Sequence, residues 1–201
     1  MSDFPIALHG ERITAVIIGG GRVAARKALA LLESGAQVTV VAPEFASEIA
    51  DADGYPGLRL VKDSYRADQI AAATLVVAAT DSRDVNAQIA VDAHRSGKLV
   101  NIADFPDEGN FHTMALHRSG DVTIAVSAGG VPGAASRIRD AIAQRFDGRY
   151  ERAVTALRGI RSRMLATDSD TWRTAAPSLI GEDFCDSVEN GSFETRIEDW
   201  R

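Results

Sequence analysis

The stretch Ile13-Thr14-Ala15-Val16-Ile17-Ile18-Gly19-Gly20-Gly21-Arg22-Val23-Ala24-Ala25-Arg26-Lys27 decides the fold. Its first six residues are mostly apolar and rich in β-branched side chains, the pattern of a strand buried on both faces. Three glycines end the strand. From Val23 to Ser34 apolar residues return at helical spacing (Val23, Leu29, Leu31, Leu32), and Gly35 stands where a helix C-cap belongs. Gly19, Gly21 and Ala24 form a G-x-G-x-x-A fingerprint between strand and helix, which is the context that gives such a motif meaning. Gly19 permits the tight turn, Gly21 lets the backbone approach a pyrophosphate without a Cβ in the way, and Ala24 lets the helix pack on the strand. The first N–H groups of the helix and the positive end of its dipole then face the phosphates. The competing reading is a plain glycine turn. The surrounding βαβ unit of about thirty residues favours the dinucleotide.

The same alternation continues outward. Val38–Val41 reads as the second strand and Leu58–Val61 as the third, after a loop with Gly54, Pro56 and Gly57. Leu75–Ala78 is the fourth, Val85–Ser96 a helix stopped by Gly97, and Leu99–Ile102 the fifth strand. This succession predicts a parallel sheet covered by helices, an α/β fold of the Rossmann-type doubly wound class. After residue 112 the rhythm changes. Thr113–Leu116 and Val122–Val126 read as a hairpin joined through Arg118-Ser119-Gly120-Asp121, Ser127–Gly133 as a glycine-rich turn, and Ala134–Phe146, Arg149–Leu165 and Thr171–Ile180 as helices. The expected organisation is a Rossmann domain over 1–112, a small α+β region over 113–147 and a helical region over 148–201. Glu182–Arg201 has seven acids against two arginines. It reads as a weakly ordered acidic tail, with Phe184, Phe193 and Trp200 as the residues able to dock it.

Composition narrows the function classes. The formal net charge of the 201 residues is -6, so nucleic acid is not an expected partner. Cys185 is the single cysteine, which excludes a disulfide within the chain and a cysteine-based zinc site and suits a cytoplasmic setting. Met1–Arg12 has no apolar run of the kind a signal peptide needs, and no stretch approaches the ~20 apolar residues that span a bilayer.

Further candidate residues lie at the carboxyl ends of the strands, where doubly wound sheets bind ligands. Pro43 and Glu44 follow the second strand. Glu44 is placed to reach an adenine ribose or to stand solvated in the loop, and the absence of an arginine directly after this strand favours NAD over NADP. Thr80 and Asp81 end the fourth strand. Asp81 or Ser82 reads as a helix cap, with the backbone of Ala79–Thr80 lining the cofactor. Asp104 follows the fifth strand beside Phe105 and Pro106. It is a candidate general base or a substrate-orienting carboxylate, against the alternative of a turn-forming aspartate. Asn101 is a polar residue on that same strand. Ser127-Ala128-Gly129-Gly130 precedes a helix and offers backbone N–H groups to an anion, with Arg118, Arg137 and Arg139 nearby in sequence; the alternative is an N-cap and turn. His112 and His117 are five apart in a predicted strand region and would face opposite sides, so no metal site is expected.

Taken together, four blocks resemble a known family. Val16–Lys27, Ala78-Ala79-Thr80-Asp81 with Val85-Asn86, Val100-Asn101-Ile102-Ala103-Asp104, and Ile124-Ala125-Val126-Ser127-Ala128-Gly129-Gly130 are similar, in this order, to the precorrin-2 dehydrogenase module of sirohaem synthesis. That module occurs alone or as the N-terminal part of multifunctional synthases. The resemblance covers about residues 4–165. It implies oxidation of precorrin-2, an acidic tetrapyrrole, to sirohydrochlorin with NAD as acceptor, ferrous iron insertion in some members, and a homodimer. It implies Asp104 as the key carboxylate, and NAD contacts at Arg22, Val23, Pro43 and Glu44. Asn101, Arg118, Ser127, Gly129, Gly130 and Arg137 are the candidates for holding the substrate. Ala128 stands where some relatives have a second serine, Phe111-His112-Thr113-Met114-Ala115 lacks a proline often found there, and the chain beyond Trp172 has no evident counterpart. These departures weigh against iron insertion. The competing functional readings are a regulatory module that binds NAD without chemistry, and an interaction protein whose nucleotide site has decayed.

Overall fold

The structure is a computed structural model that describes residues 3–200. The chain divides into two compact units, Met1–His112 and Thr113–Arg201. No further division falls near residue 147, so the hairpin and the C-terminal helices belong to one unit.

The first unit is a five-stranded sheet in the order β3-β2-β1-β4-β5. Its strands are β1 (Thr14–Ile18), β2 (Gln37–Ala42), β3 (Leu58–Lys62), β4 (Leu75–Ala78) and β5 (Leu99–Ile102), and every pairing is parallel. The chain winds outward from β1 to β3, then crosses back and winds the other way from β4 to β5. The direction reverses between β1 and β4, which makes their carboxyl ends the ligand-binding crevice of this topology.

Successive residues of β1 face opposite sides of the sheet. Ala15 and Ile17 pack with Ala24, Ala25, Ala28 and Leu32 of α1 (Arg22–Glu33). Val16 and Ile18 pack with Ile89, Ala90 and Ala93 of α3 (Arg83–Arg95). The inward face of α1 holds Ala24 and Leu32, as read from the sequence, together with Ala25 and Ala28. Val23 and Leu29 are 42% and 39% exposed, and the buried positions are mostly alanines. Small side chains let the helix approach the sheet closely; larger ones at the same positions would hold it off. Gly35 and Gly97 take left-handed φ values of 87° and 64° after the two helices. A short helix α2 (Ser47–Ala50) follows β2. The β3–β4 crossover carries only a 3-10 turn, Ala67–Ile70, whose Ile70 is buried under the α3 side of the sheet.

The second unit opens with an antiparallel hairpin of β6 (Ala115–Ser119) and β7 (Val122–Val126). The first of these strands starts two residues later than expected and runs to Ser119, so the turn is Gly120-Asp121 alone. Gly120 has φ 54°, and a Cβ there would meet Glu151 Cγ at 2.4 Å. Then come α4 (Pro132–Arg145), α5 (Gly148–Thr167), α6 (Ser169–Leu179), α7 (Phe184–Asn190) and α8 (Ser192–Arg196).

The C-terminal stretch is not a weakly ordered tail. Phe193 and Ile197 are 2% exposed and share a core with Tyr150, Leu157, Ile160 and Leu179. Phe146, Tyr150, Phe184 and Phe193 form a chain of ring contacts with centroids 4.6, 6.5 and 5.3 Å apart. Among the described residues, three of this segment's seven acids, Asp183, Glu189 and Glu194, are ion-paired, and Glu189 accepts from the Tyr150 hydroxyl at 2.7 Å and from Arg145 Nε at 2.6 Å. These two bonds, that from Tyr150 first, hold the Glu189 carboxyl below the usual glutamate range. Asp183 is ion-paired with Arg196. Arg201 lies outside the described residues.

Candidate active site

The first-unit candidates converge on the crevice at the ends of β1 and β4. Gly19 has φ 122°, and a Cβ there would lie 2.2 Å from the Ala79 carbonyl oxygen. Only glycine lets β1 end so close to the end of β4. Gly20 is equally constrained: its Cβ would lie 1.9 Å from the Glu44 carbonyl oxygen, and its own carbonyl accepts from Ala46 N at 2.7 Å. Gly21 is different. A Cβ there would meet nothing within 4 Å, and its φ of -86° is open to any residue. Nothing in the protein requires glycine at position 21, so the space in front of it is what the missing side chain leaves for something else.

Gly21 is also the N-cap of α1, and no side chain caps that helix. The N-terminal N–H groups of α1 are thus left to an anion, in a crevice whose walls the other two glycines hold together. Arg22 is the first helical residue, with its side chain 91% exposed and Nε 3.5 Å from Glu48 Oε1. Val23 follows, exposed on the same turn. Pro43 and Glu44 are exposed on the loop whose backbone rests on Gly20. These residues fit a dinucleotide: an uncapped helix end, a Cβ-free cradle and an acid after β2.

Across the crevice, Thr80 and Asp104 are joined. Asn86, on the first turns of α3, is fully buried. Its Nδ2 donates to Asp104 Oδ1 at 2.9 Å and to the Thr80 carbonyl at 3.2 Å. Its Oδ1 accepts from Thr80 Oγ1 at 2.7 Å and from Thr80 N at 3.2 Å. The cap of α3 is Ser82, which accepts from Val85 N; Asp81 is exposed and plays no capping part. Asp104 itself is exposed. Arg83 stands nearby, ion-paired with Glu108 and 5.1 Å from the centroid of the Phe105 ring. The Glu108 bond, with smaller help from the charges of Asp104 and Asp84, pushes the Arg83 pKa up. Asn101 is 5% exposed; its Nδ2 donates to the Phe111 carbonyl at 3.1 Å and its Oδ1 is buried with no partner.

The remaining candidates belong to the second unit. Arg118 is exposed on β6, Arg137 exposed on α4, and Ser127 follows the end of β7. Gly129 and Gly130 have φ 54° and 83°. The cap of α4 is Val131 with Pro132 at the first helical position, so Ser127 is not an N-cap. Arg139 is bound to Asp140 and reaches the Leu116 carbonyl at 3.4 Å. His112 lies outside any strand, and His117 Nε2 is 2.5 Å from the Phe146 carbonyl. The two histidines fall in different units, and no cluster of three metal-ligating side chains occurs among the described residues.

A family model described as "Putative NAD(P)-binding" matches residues 6–115. The chain belongs to this NAD(P)-binding family. The match covers the whole glycine turn and the Thr80–Asn86–Asp104 cluster. Among curated proteins, the chain is 34% identical over 194 residues to "Siroheme synthase" of Chromobacterium violaceum, covering 95% of this chain and 41% of that protein. It is 34% identical over 177 residues to "Siroheme synthase" of Methylococcus capsulatus, covering 88% of this chain and 36% of that protein. The chain thus spans about two fifths of the length of these relatives. Among solved structures, "SirC, precorrin-2 dehydrogenase" superimposes with a TM-score of 0.78 at 24% identity, covering 98% of this chain and 100% of that one. The likeness shows a shared fold across both units.

Two residues of the site were not singled out from sequence. Gly20 occupies an unspecified position of the fingerprint, and its steric role depends on the loop after the neighbouring strand, β2. Asn86 stands in the sequence only as the end of a block that carries the family resemblance, on the helix after Asp81, with no role of its own. Its burial and its link to Asp104, 18 positions on, appear only in three dimensions.

Proposed function

We propose that this chain is a precorrin-2 dehydrogenase that oxidises precorrin-2 to sirohydrochlorin with NAD, within sirohaem synthesis. The observation that carries the reading is the pairing, at one switch point, of an open-faced Gly21 before an uncapped helix with the Asp104 carboxylate tied to the Thr80 turn. The names of the relatives and of the structural neighbour support the substrate class. The lack of an arginine in the loop after β2 supports NAD over NADP.

Gly19 and Gly20 would let the crevice walls meet closely, Gly21 and the α1 N–H groups would receive the diphosphate, and Glu44 the ribose, with Arg22, Val23, Pro43, Thr80 and Asp81 lining the path. Once bound, the nicotinamide supplies the hydride acceptor. Asp104 would orient the macrocycle and take the proton released as the ring system is oxidised. An acidic tetrapyrrole needs cations and N–H donors, which Arg118, Arg137, Ser127, Gly129 and Gly130 would supply. The second unit would pair with that of another copy in a homodimer. The single cysteine and the cofactor support a cytoplasmic setting.

Incubation with precorrin-2 and NAD, followed by absorbance, tests the activity; ferrous iron added afterwards tests metal insertion. NAD alone at a hundred times its dissociation constant should stabilise the protein by ~2.7 kcal/mol, read as a rise in Tm. Stabilisation without oxidation of precorrin-2 would leave the NAD-binding regulatory module as the function. No stabilisation at all would overturn both.

A further inference from the structure

Asn86 uses its full hydrogen-bonding capacity, two donations and two acceptances, and does so with no exposed surface. Only one amide orientation works. The reverse would set an oxygen against the Thr80 carbonyl and the Asp104 carboxylate, and an NH2 against the Thr80 N–H. One rotamer on a helix therefore joins two loops that leave different strands. Thr80 leaves β4 and Asp104 follows β5, and loop residues alone would hold their separation less firmly than a helix-borne side chain does. We infer that Asn86 is a positioning residue: it fixes the Asp104 carboxylate relative to the Thr80 turn, so that proton acceptor and cofactor-lining backbone move as one body. This rests on the proposed roles of Asp104 and Thr80.

The test uses the full chain. Asn86→Asp keeps the size of the side chain and the oxygen that accepts from Thr80 Oγ1 and N, and replaces the donor that faces both Asp104 and the Thr80 carbonyl by a second oxygen. The expected result is an NAD dissociation constant within about threefold of the parent, an almost unchanged KM for precorrin-2, and a kcat lower by about ten- to a hundredfold, the value of a lost bond to a charged group. In the double variant Asn86→Asp/Asp104→Ala, turnover should fall no further than in Asp104→Ala alone, because the two act as a unit. Parental kcat in Asn86→Asp, or losses that multiply in the double variant, overturn the assignment. Parental turnover in Asp104→Ala would instead remove the role of Asp104 on which the assignment rests. Should Asn86→Asp not fold, Asn86→Ala removes the same link without adding a charge and carries the same cycle.

Discussion

Gly20 and Gly21 are adjacent glycines with opposite reasons for being glycine. A Cβ on Gly20 runs into the Glu44 carbonyl at 1.9 Å, whereas a Cβ on Gly21 runs into nothing. Gly20→Ala should therefore cost ~1–3 kcal/mol of folding stability, as overpacked sites do, measured by chemical denaturation. Gly21→Ala should change stability by less than ~1 kcal/mol yet weaken NAD binding by about tenfold or more, measured by calorimetric titration. Equal effects of the two substitutions on both measurements would contradict the cradle. At the same scale, Asp104→Ala should abolish most oxidation of precorrin-2 while leaving NAD affinity within about threefold, since losing a transition-state contact lowers kcat without removing cofactor binding.

Among elements, α1 shows how a helix face is chosen. Of its apolar residues the sheet takes Ala24, Ala25 and Ala28, with Leu32 at the far end, and leaves Val23 and Leu29 exposed. Close approach favours small side chains, and it also brings the helix N-terminus down to the crevice where the phosphates would sit. Leu29→Ala is expected to change stability by less than ~1 kcal/mol, whereas Ala28→Leu, at a position 3% exposed, is expected to cost ~1–3 kcal/mol. A denaturation series that reversed this order would contradict the inward face through Ala24, Ala25 and Ala28. The hairpin gives a second case. Its register follows the two-residue turn at Gly120, which is left-handed and lies against Glu151, so β6 ends at Ser119.

At the scale of the whole molecule, the acidic C-terminal stretch is part of the second unit's core. Two of its acids, Glu189 and Asp183, pair with Arg145 and Arg196, and its aromatic residues complete a cluster begun on α5. Phe193→Ala should cost ~3–5 kcal/mol, the range for a large aromatic removed from a core, and the loss should show as a lowered denaturation midpoint. NAD binding, a property of residues in the first unit, should be unchanged by Phe193→Ala as long as the first unit stays folded. A substitution without effect on the midpoint would return this stretch to the status of a tail.

The parallel sheet, its strand succession and the glycine turn were legible in the residues because each is a local pattern: apolar β-branched runs, helical spacing, and small residues where backbone and helix meet. Asp104, Thr80 and Glu44 were legible as candidates because they stand at strand ends, where this topology exposes side chains. The burial of Ala25 and Ala28 of α1, the constraint on Gly20, the bridge made by Asn86 and the burial of Ile197 were decided by tertiary structure alone. Each depends on a partner distant in sequence, and no periodicity or composition carries the distance between two such partners.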